Sequence, residues 1–329
     1  MNKRSLLSAM AASLGVFASA QVVFSEDFDV DHTSQWQFNS SLGATDLAGD
    51  HSGGEADFFF DYSTVGIPIA PNSNGTTRGL KMIANLGTGT FSAVTVNPLD
   101  FAVTGDYTMR WDMWMNSVGP FPAGGSGSTQ LSGGGVGGVN DLNWWGASFD
   151  SFAVAATGDG GSSLDYRMYA NDGGPGAPVQ GSTGSYAADP TGANGNAGLN
   201  AGDPYYAGFQ GTVPAAQLGM FPNQTGAPQV GAQAFAWRRW EINKTGDLFT
   251  WSIDGTVIGS FEKATTAGEN IFFAQSDINA GSSSDANAEA LLFGLVDNVE
   301  VELTPVPEPG TMAVLAGLGA LALRRRKKN

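Results

Sequence analysis

The chain has 329 residues, with 15 Lys and Arg against 31 Asp and Glu, so its formal net charge is −16 at pH 7. Such an acidic surface repels nucleic acid and anionic lipid, which excludes nucleic acid as a partner. The absence of cysteine excludes disulfide stapling, but 8 Trp and 20 Phe can supply a core of ordinary size.

Residues 1–20 have the pattern of a secretory signal peptide. Lys3 and Arg4 precede an apolar stretch from Leu6 to Ala18, and Ala18-Ser19-Ala20 provides the small residues of a cleavage site. The mature chain is therefore predicted to begin at Gln21. The alternative, an uncleaved N-terminal membrane anchor, requires a longer apolar run than this one.

Residues 21–303 are predicted to form one β-rich domain of net charge −22, from 8 Lys and Arg and 30 Asp and Glu. In 107–115 the odd-numbered residues are apolar or aromatic, which predicts a strand with one core-facing side. Asp254-Gly255 between two apolar runs predicts a two-residue hairpin that sets Trp251 opposite Ile258. A closing strand is predicted with one apolar face formed by Leu291, Phe293, Leu295, Val299, Val301 and Leu303, and with Asn298, Glu300 and Glu302 on the other face.

Two glycine-rich stretches interrupt this pattern. Residues 119–140 contain nine glycines and residues 171–232 contain fourteen, and no Lys or Arg lies between Arg167 and Arg238. Because such segments lack apolar density, we predict surface insertions at about 119–142 and 171–235 that cover or extend the sheets.

Three segments of the domain resemble the concanavalin-A-like lectin/glucanase jelly roll: the opening Phe24-Ser25-Glu26-Asp27-Phe28, the hairpin from Trp240 to Gly255, and the closing run from Phe293 to Val299. The fold class predicted from this resemblance is all-β, a two-sheet jelly-roll sandwich. The resemblance also implies binding or cleavage of polysaccharide.

Catalytic motifs are not found in the sequence. Glycosidases of the jelly-roll type carry a Glu-x-Asp-x-x-Glu strand, and this chain has no such triplet. Its two histidines accompany no Gly-x-Ser-x-Gly motif. We therefore predict no catalytic residues and a protein that is not an enzyme, with a polysaccharide-active hydrolase or lyase as the alternative.

A structural Ca²⁺ ion is the one cofactor for which the sequence offers candidate ligands. Asp297 interrupts an apolar strand face, and if the first and last strands are neighbours it could meet Glu26 or Asp27 around one ion. The alternative is an aspartate that is hydrogen-bonded at a strand end.

Aromatic residues on polar strand faces are the candidate ligand-binding residues. Trp114 shares its face with Arg110 and Asp112, Trp144 shares one with Asp150, and Tyr169 shares one with Arg167. Rings that stack on sugars beside hydrogen-bonding side chains would make a glycan-binding face. Equally, these rings could form a second core under the glycine-rich segments.

The C-terminal segment, residues 304–329, has the layout of a sorting signal. Val306, Pro307, Glu308, Pro309 and Gly310 precede a 13-residue apolar run and the basic cluster of Arg324, Arg325, Arg326, Lys327 and Lys328. As a helix the run would reach about 20 Å, too short to span a bilayer easily. The basic cluster would stay on the cytoplasmic side.

This segment resembles the PEP-CTERM sorting signal of Gram-negative bacteria. The resemblance implies a transient anchor in the inner membrane, processing by an exosortase, and delivery to the cell surface or the exopolysaccharide matrix of a biofilm. The alternative is a tail anchor that is never cut. The sequence thus predicts an exported, non-catalytic surface or extracellular-matrix protein, with neutral polysaccharide as its candidate ligand.

Overall fold

The computed structural model describes residues 20–40, 54–84, 92–119, 129–137, 150–172, 179–180, 184–262, 270–277 and 285–305. Contacts divide the chain into one unit of Val22–Glu302 and another of Met1–Gln21 with Leu303–Asn329. The predicted signal peptide before residue 20 and the predicted C-terminal helix lie outside the described residues. Within the part of the chain that is described, no helix has the length and apolar character needed to span a membrane.

The larger unit is a sandwich of two antiparallel sheets, as the sequence predicted at the level of fold class. Its strands are β1 (Gln21–Glu26), β2 (Trp36–Ser40), β3 (Glu55–Asp61), β4 (Arg78–Ile83), β5 (Ser92–Pro98), β6 (Tyr107–Met115), β7 (Gln130–Gly137), β8 (Asp150–Thr157), β9 (Tyr166–Asp172), β10 (Val179–Gln180), β11 (Ser185–Tyr186), β12 (Arg238–Thr245), β13 (Leu248–Ile253), β14 (Thr256–Glu262), β15 (Asn270–Asp277) and β16 (Gly294–Leu303). Two short helices, α1 (Ala215–Met220) and α2 (Ala288–Leu291), lie outside the sheets.

The nine-stranded sheet has the order β11-β14-β13-β12-β6-β16-β4-β3, with β1 also paired to β16. The seven-stranded sheet has the order β10-β9-β8-β7-β15-β5-β2. The first and last strands are therefore neighbours, the condition that the calcium hypothesis required.

Aromatic rings fill the space between the sheets. Trp111, Trp240 and Trp251 lie on adjacent strands, and the centroid of Trp240 is 5.7 Å from that of Trp111 and 5.1 Å from that of Trp251. Phe273 of the opposite sheet packs edge-on against Trp111 at 5.6 Å. The core-facing side predicted for β6 is therefore confirmed, because Trp111 is buried between the two sheets.

The part of the first glycine-rich stretch at 129–137, which the structure describes, is not a surface insertion. It contains β7, which is buried along its whole length and lies between β8 and β15 in the seven-stranded sheet. A Cβ at Gly133 would collide with the carbonyl oxygen of Val154, and one at Gly135 with that of Phe152. The glycines therefore permit a close approach of backbones within the sheet, which the low apolar density of the sequence concealed.

The hairpin at Asp254-Gly255 forms as predicted, and both residues have positive φ, 48° and 75°. The predicted register is wrong by one residue beyond the turn. Trp251 pairs with Gly259 and not with Ile258, because the register shifts between Trp251 and Ser252.

The closing strand also departs from a simple alternation. Asn298 has φ of 49°, a left-handed conformation in the middle of β16. Leu295 before it packs in a cluster with Trp114, whereas Glu300 and Glu302 after it contact Arg110 on the same outer face. The strand therefore changes phase at Asn298, and Leu295 does not share a face with Val299 and Val301 as the sequence suggested. Leu291, predicted to open this strand, lies in α2.

Candidate functional site

Arg110 lies on the outer face of β6 among three glutamates. Its Nε donates to Glu241 at 2.7 Å and its Nη1 donates to Glu302 at 2.8 Å, with Glu300 at 3.6 Å. Burial opposes the charged form, but the hydrogen bonds to Glu302 and Glu241 raise the pKa of Arg110 overall. The guanidinium donors of Arg110 are therefore already used within the sheet. Arg110 and the three glutamates form a cross-strand ion-pair network.

Trp114 corrects the prediction of a sugar-stacking face on β6. Its side chain is only 1% exposed and belongs to a cluster with Tyr62, Ile67, Ile83, Ala234, Phe235, Phe293 and Leu295. The indole Nε1 donates to Asn116 Oδ1 at 3.1 Å. Both faces of this ring are enclosed, so Trp114 lies in a second core outside the nine-stranded sheet, the alternative that the sequence left open.

Tyr169, the other predicted ring that the structure describes, does not form an open face either. Tyr169 is 5% exposed and packs with Leu131, Ala153 and Phe272. Asp150 begins β8, and Trp144 lies outside the described residues. The prediction that Trp114 and Tyr169 present free ring faces is therefore wrong, because segments that were taken for insertions pack as parts of the fold.

Asp112 and Asp297 are buried carboxylates, each 1% exposed, on the same side of the nine-stranded sheet. Asp112 accepts from Asn72 Nδ2 at 2.7 Å, from Asn298 Nδ2 at 2.9 Å and from Arg239 Nη1 at 3.2 Å. Asp112 is therefore held by donors of its own fold and is not free to bind a ligand.

Asp297 accepts from the Asn298 amide at 2.7 Å and from the Tyr62 hydroxyl at 3.2 Å. Burial raises the pKa of Asp297 to about 8, and the charges of Asp112 and Asp29 act in the same direction. Asp297 is thus a hydrogen-bonded carboxyl group that is mostly protonated at neutral pH.

The predicted calcium ligands do not converge. Glu26 accepts from the Phe28 amide at 2.8 Å and contacts His32 Nδ1 at 2.9 Å, while Asp27 accepts from the Asp29 amide at 3.1 Å. Among the described residues, which include all three predicted ligands, no group of three His, Cys, Asp or Glu side chains could hold a metal ion. The structure therefore does not bring Glu26, Asp27 and Asp297 together around an ion, although β1 and β16 are neighbours.

Tyr205 is an aromatic residue that the sequence analysis missed. Its side chain is 40% exposed, and no other Phe, Trp or Tyr side chain within the described ranges is as exposed. Asp203 caps the 3-10 turn Pro204–Tyr206 by accepting from the Tyr205 amide at 2.8 Å. Tyr206 is buried in that turn and stacks on Tyr166 with ring centroids 4.0 Å apart, which leaves Tyr205 on the outside.

The ring of Tyr205 is fixed in place although it is exposed. Its hydroxyl donates to the carbonyl oxygen of Val257 at 2.7 Å, and its ring meets that of Tyr206 edge-on with centroids 5.4 Å apart. A ring that is held from both ends loses little conformational entropy when a ligand stacks on it. An adjacent pair of tyrosines directly after Asp-Pro, in a stretch without charges, is the sequence signal that could have indicated it.

An open groove of about 510 Å³ lies beside this turn, within the usual size range of small-molecule sites. It is lined by Ser163, Asn196, Ala197, Asn200, Gly202, Asp203 and Pro204. Asn200 and Asp203 already exchange hydrogen bonds with the backbone of Ser162, Gly202 and Tyr205. A sugar would therefore bond to their remaining lone pairs and to the polar groups of Ser163 and Asn196. The arrangement suits a polar, uncharged ligand that also offers an apolar face to Tyr205.

Asp165 fixes the two walls of the groove relative to each other. The Ser163 wall belongs to the β8–β9 connection, where Asp165 Oδ1 accepts from the Ser162 amide at 3.0 Å and from Thr157 Oγ1 at 2.5 Å. The other oxygen, Oδ2, accepts from the Ala201 amide at 2.8 Å in the opposite wall. Burial raises the pKa of Asp165 against these hydrogen bonds. Asn200 Nδ2 also donates to the Ser162 carbonyl oxygen at 2.8 Å, so the two walls of the groove are joined by the Asp165 carboxylate and by this bond.

The electrostatics of this region differ from those of the rest of the domain. Residues 204–237, which we call the uncharged cap, contain no Asp, Glu, Lys or Arg, although residues 21–303 carry a net charge of −22. Tyr205 lies in the uncharged cap, and the groove borders it. Asp203, which directly precedes the uncharged cap, is the charged residue of the groove lining, so a neutral ligand meets this one carboxylate and no charge of the cap.

The C-terminal residues 305–328 match the family model described as the PEP-CTERM protein-sorting motif. This range contains the predicted sorting residues Val306 to Gly310 and Arg324 to Arg326, so the chain carries a PEP-CTERM motif at its C-terminus. The motif implies export and exosortase-mediated sorting to the cell surface. No curated protein matches the sequence significantly.

Several solved structures are similar to this chain. An endo-1,3-beta-glucanase from Streptomyces sioyaensis is 14% identical, with 91% of this chain and 100% of that chain covered and a TM-score of 0.42. A kappa-carrageenase from Pseudoalteromonas carrageenovora, in complex with an oligotetrasaccharide, is 13% identical, with coverage of 91% and 99% and a TM-score of 0.40. A protein with a galectin-like fold from Bacillus subtilis is 8% identical, with coverage of 87% and 99% and a TM-score of 0.41.

Proposed function

We propose that this chain is an exported, non-catalytic protein of the cell surface or extracellular matrix that binds neutral polysaccharide through the groove beside Tyr205. We also propose that the two-sheet sandwich has the jelly-roll topology. The observation that carries it is an exposed aromatic ring, held by its own hydroxyl, that directly follows Pro204 of the groove lining. Stacking on the ring and hydrogen bonds from the groove are the two interactions that sugars require.

The preference for a neutral polymer follows from charge. An acidic polysaccharide would be repelled by the net charge of −22 on residues 21–303. A cationic polymer would be attracted by the domain as a whole, but the uncharged cap offers it no ion pair. Retention of neutral glucans at both low and high ionic strength would therefore distinguish groove binding from charge attraction.

Replacement of Tyr205 by alanine is expected to weaken binding about ten-fold, because it removes a stacking interaction of roughly 1.4 kcal/mol. Affinity electrophoresis through neutral glucans and the producer's own exopolysaccharide measures the change. Tyr205→Phe should keep part of the affinity, since the ring remains but its hydrogen bond to Val257 is lost. The matched control is Leu248→Ala, which shortens another side chain that is 40% exposed.

Two outcomes would contradict this assignment. One is a wild-type protein that no polymer retards, and the other is equal retardation of wild type and Tyr205→Ala. Release of reducing ends from any retarding polymer would instead support the alternative of a polysaccharide-active enzyme, so the same polymers should be analysed for products after incubation.

Processing at both ends is expected in the native host. The signal-peptide pattern and the PEP-CTERM motif predict a mature protein that begins at or near Gln21 and ends near residues 305–309. Intact-mass measurement of the protein recovered from the cell surface tests this. Recovery of the chain with Arg324, Arg325 and Arg326 still attached would contradict exosortase processing.

A further inference from the structure

A small polar cavity lies where β6 and β8 end and β7 begins. Its volume of about 10 Å³ is enough for one particle the size of a water molecule. A Cβ at Gly294 of the opposite sheet would come within 2.8 Å of the Ser132 hydroxyl, so the glycine leaves room for the polar groups. The polar residues of the lining, each at most 7% exposed, are Asn116, Ser117, Gln130, Ser132, Asp159 and Gln275.

Asp159 is the charged residue of this lining, and its side chain is 4% exposed. Its Oδ1 accepts from the Gly161 amide at 3.0 Å and its Oδ2 accepts from the Thr129 hydroxyl at 3.3 Å. These two bonds use about half of the lone pairs of a carboxylate. Burial raises the pKa of Asp159 to about 6, and the negative charge of Asp165 acts in the same direction.

No basic side chain among the described residues neutralises Asp159. The sequence has no Lys or Arg at 111–166 or at 168–237. Arg167, the basic residue nearest to it in the sequence, donates instead to the Leu164 carbonyl oxygen at 2.7 Å and to the Ser162 hydroxyl at 3.0 Å. A buried carboxylate without an opposite charge either takes up a proton or binds a cation.

The other polar groups around the cavity offer oxygen atoms whose hydrogens are already used. Ser132 gives its one hydroxyl hydrogen to Gln275 Oε1, and Gln275 Nε2 donates in turn to Gln130 Oε1. Gln130 Nε2 donates to the Ala84 carbonyl oxygen at 3.0 Å. The Ser132 hydroxyl can therefore only accept further bonds, and each glutamine oxygen keeps a free lone pair. Such a lining favours a positively charged particle.

We propose that this cavity binds one monovalent metal cation, Na⁺ or K⁺, with the Asp159 carboxylate as its charged ligand and the oxygens of Ser132 and Gln275 among its neutral ligands. One carboxylate among neutral oxygens balances a single positive charge, whereas Ca²⁺ would leave a buried charge uncompensated and takes six to eight oxygen ligands. The ion goes beyond the proposed polysaccharide binding. It would brace the β8–β9 connection, which also contains Ser163 of the groove.

Thermal melts of the wild-type protein in NaCl, KCl and choline chloride of equal ionic strength test the proposal, with a chelator present to remove divalent ions. At about pH 8 the proton does not compete for Asp159. Choline is too large for the cavity and screens surface charge like the metal ions. An ion bound only by the folded protein stabilises it, so the melting temperature at saturating NaCl or KCl should exceed that in choline chloride by at least about 3 °C.

Asp159→Asn should abolish this difference, because it removes the charged ligand. Ser132→Ala, which keeps the carboxylate, should raise the salt concentration of half-maximal effect about three- to ten-fold. Asp297→Asn is the matched control, since it changes another buried aspartate that does not line the cavity, and it should retain the full difference.

Two results would overturn the proposal. Equal melting temperatures of the wild type in all three salts would show that Asp159 is neutralised by a proton alone. A difference that Asp159→Asn and Ser132→Ala both retain unchanged would place the bound ions elsewhere on the acidic surface. If Asp159→Asn does not fold, the wild type and Ser132→Ala still decide between these outcomes.

Discussion

Replacement of Trp114 by alanine is expected to lower the free energy of unfolding by about 3 to 5 kcal/mol, because it empties a large site in a closed apolar cluster. The ring is 1% exposed, and Trp237 lies beside it with the centroids 5.7 Å apart. The change also leaves Asn116 without the indole donor. In a domain of this size the melting temperature should fall by on the order of 10 °C.

Trp114→Phe is the matched control for this result. It keeps an aromatic ring in the cluster and removes the indole N–H, so it should cost clearly less than the alanine variant. Chemical denaturation and thermal melts measure both variants. Retention of polysaccharide by folded Trp114→Ala should equal that of the wild type, because this ring lies outside the groove. A melting temperature unchanged by Trp114→Ala would contradict the second core.

The sequence was sufficient to predict the fold class and the hairpin at Asp254-Gly255, because both depend on local signals. Alternation along β6 and a pair of residues suited to positive φ are properties of the strand itself. The position of β7 in the middle of a sheet was not predictable in this way. Its glycines are required by the closeness of the neighbouring backbones, and this is a tertiary property that composition does not show.

The candidate site was predicted less well, for a related reason. An alternating strand shows which residues share a face, but not whether another segment covers that face. Trp114 and Tyr169 were assigned to polar faces, and both are covered. Tyr205 lies in a segment without periodicity, where exposure is decided by which of two adjacent tyrosines the 3-10 turn directs inward.

The calcium hypothesis shows the same limit at the level of strand pairing. The sequence showed that Asp297 interrupts an apolar face, and the condition set for calcium binding, that the first and last strands are neighbours, is met. The sequence could not show that the Glu26 carboxylate forms local hydrogen bonds with the Phe28 amide and with His32. Local hydrogen bonds within a turn compete with a shared ion for the same oxygens.

The stability of the domain is expected to depend on the protonation of Asp297. In the folded state burial raises the pKa of this carboxyl to about 8, far above its ordinary value of 3.8. A group with a raised folded-state pKa contributes stability that is fully present below the unfolded pKa and is lost as pH rises through the folded pKa. The contribution of Asp297 should therefore decrease between about pH 4 and pH 8.

The hydrogen bonds around Asp297 are compatible with either protonation state. The Tyr62 hydroxyl, 3.2 Å from Asp297 Oδ2, also lies 3.3 Å from the carbonyl oxygen of Thr76. It can donate a hydrogen bond to Thr76 while accepting one from neutral Asp297. An asparagine at position 297 can donate in the same way through its amide, so Asp297→Asn should resemble the protonated protein without creating an unpartnered group.

The free energy of unfolding of Asp297→Asn should therefore exceed that of the wild type by an amount that grows by about 4 to 5 kcal/mol between pH 4.5 and pH 8.5. Urea denaturation of both proteins across this pH range measures the difference in unfolding free energy. The pH-dependent contributions of the other carboxylates are nearly the same in both proteins and largely cancel in this difference. The control is Asp254→Asn, which removes a charge that is paired with Arg238 at 3.0 Å on the surface and should change stability by less than about 1 kcal/mol. A difference between Asp297→Asn and the wild type that does not vary with pH would contradict a buried Asp297 that is driven to bind a proton.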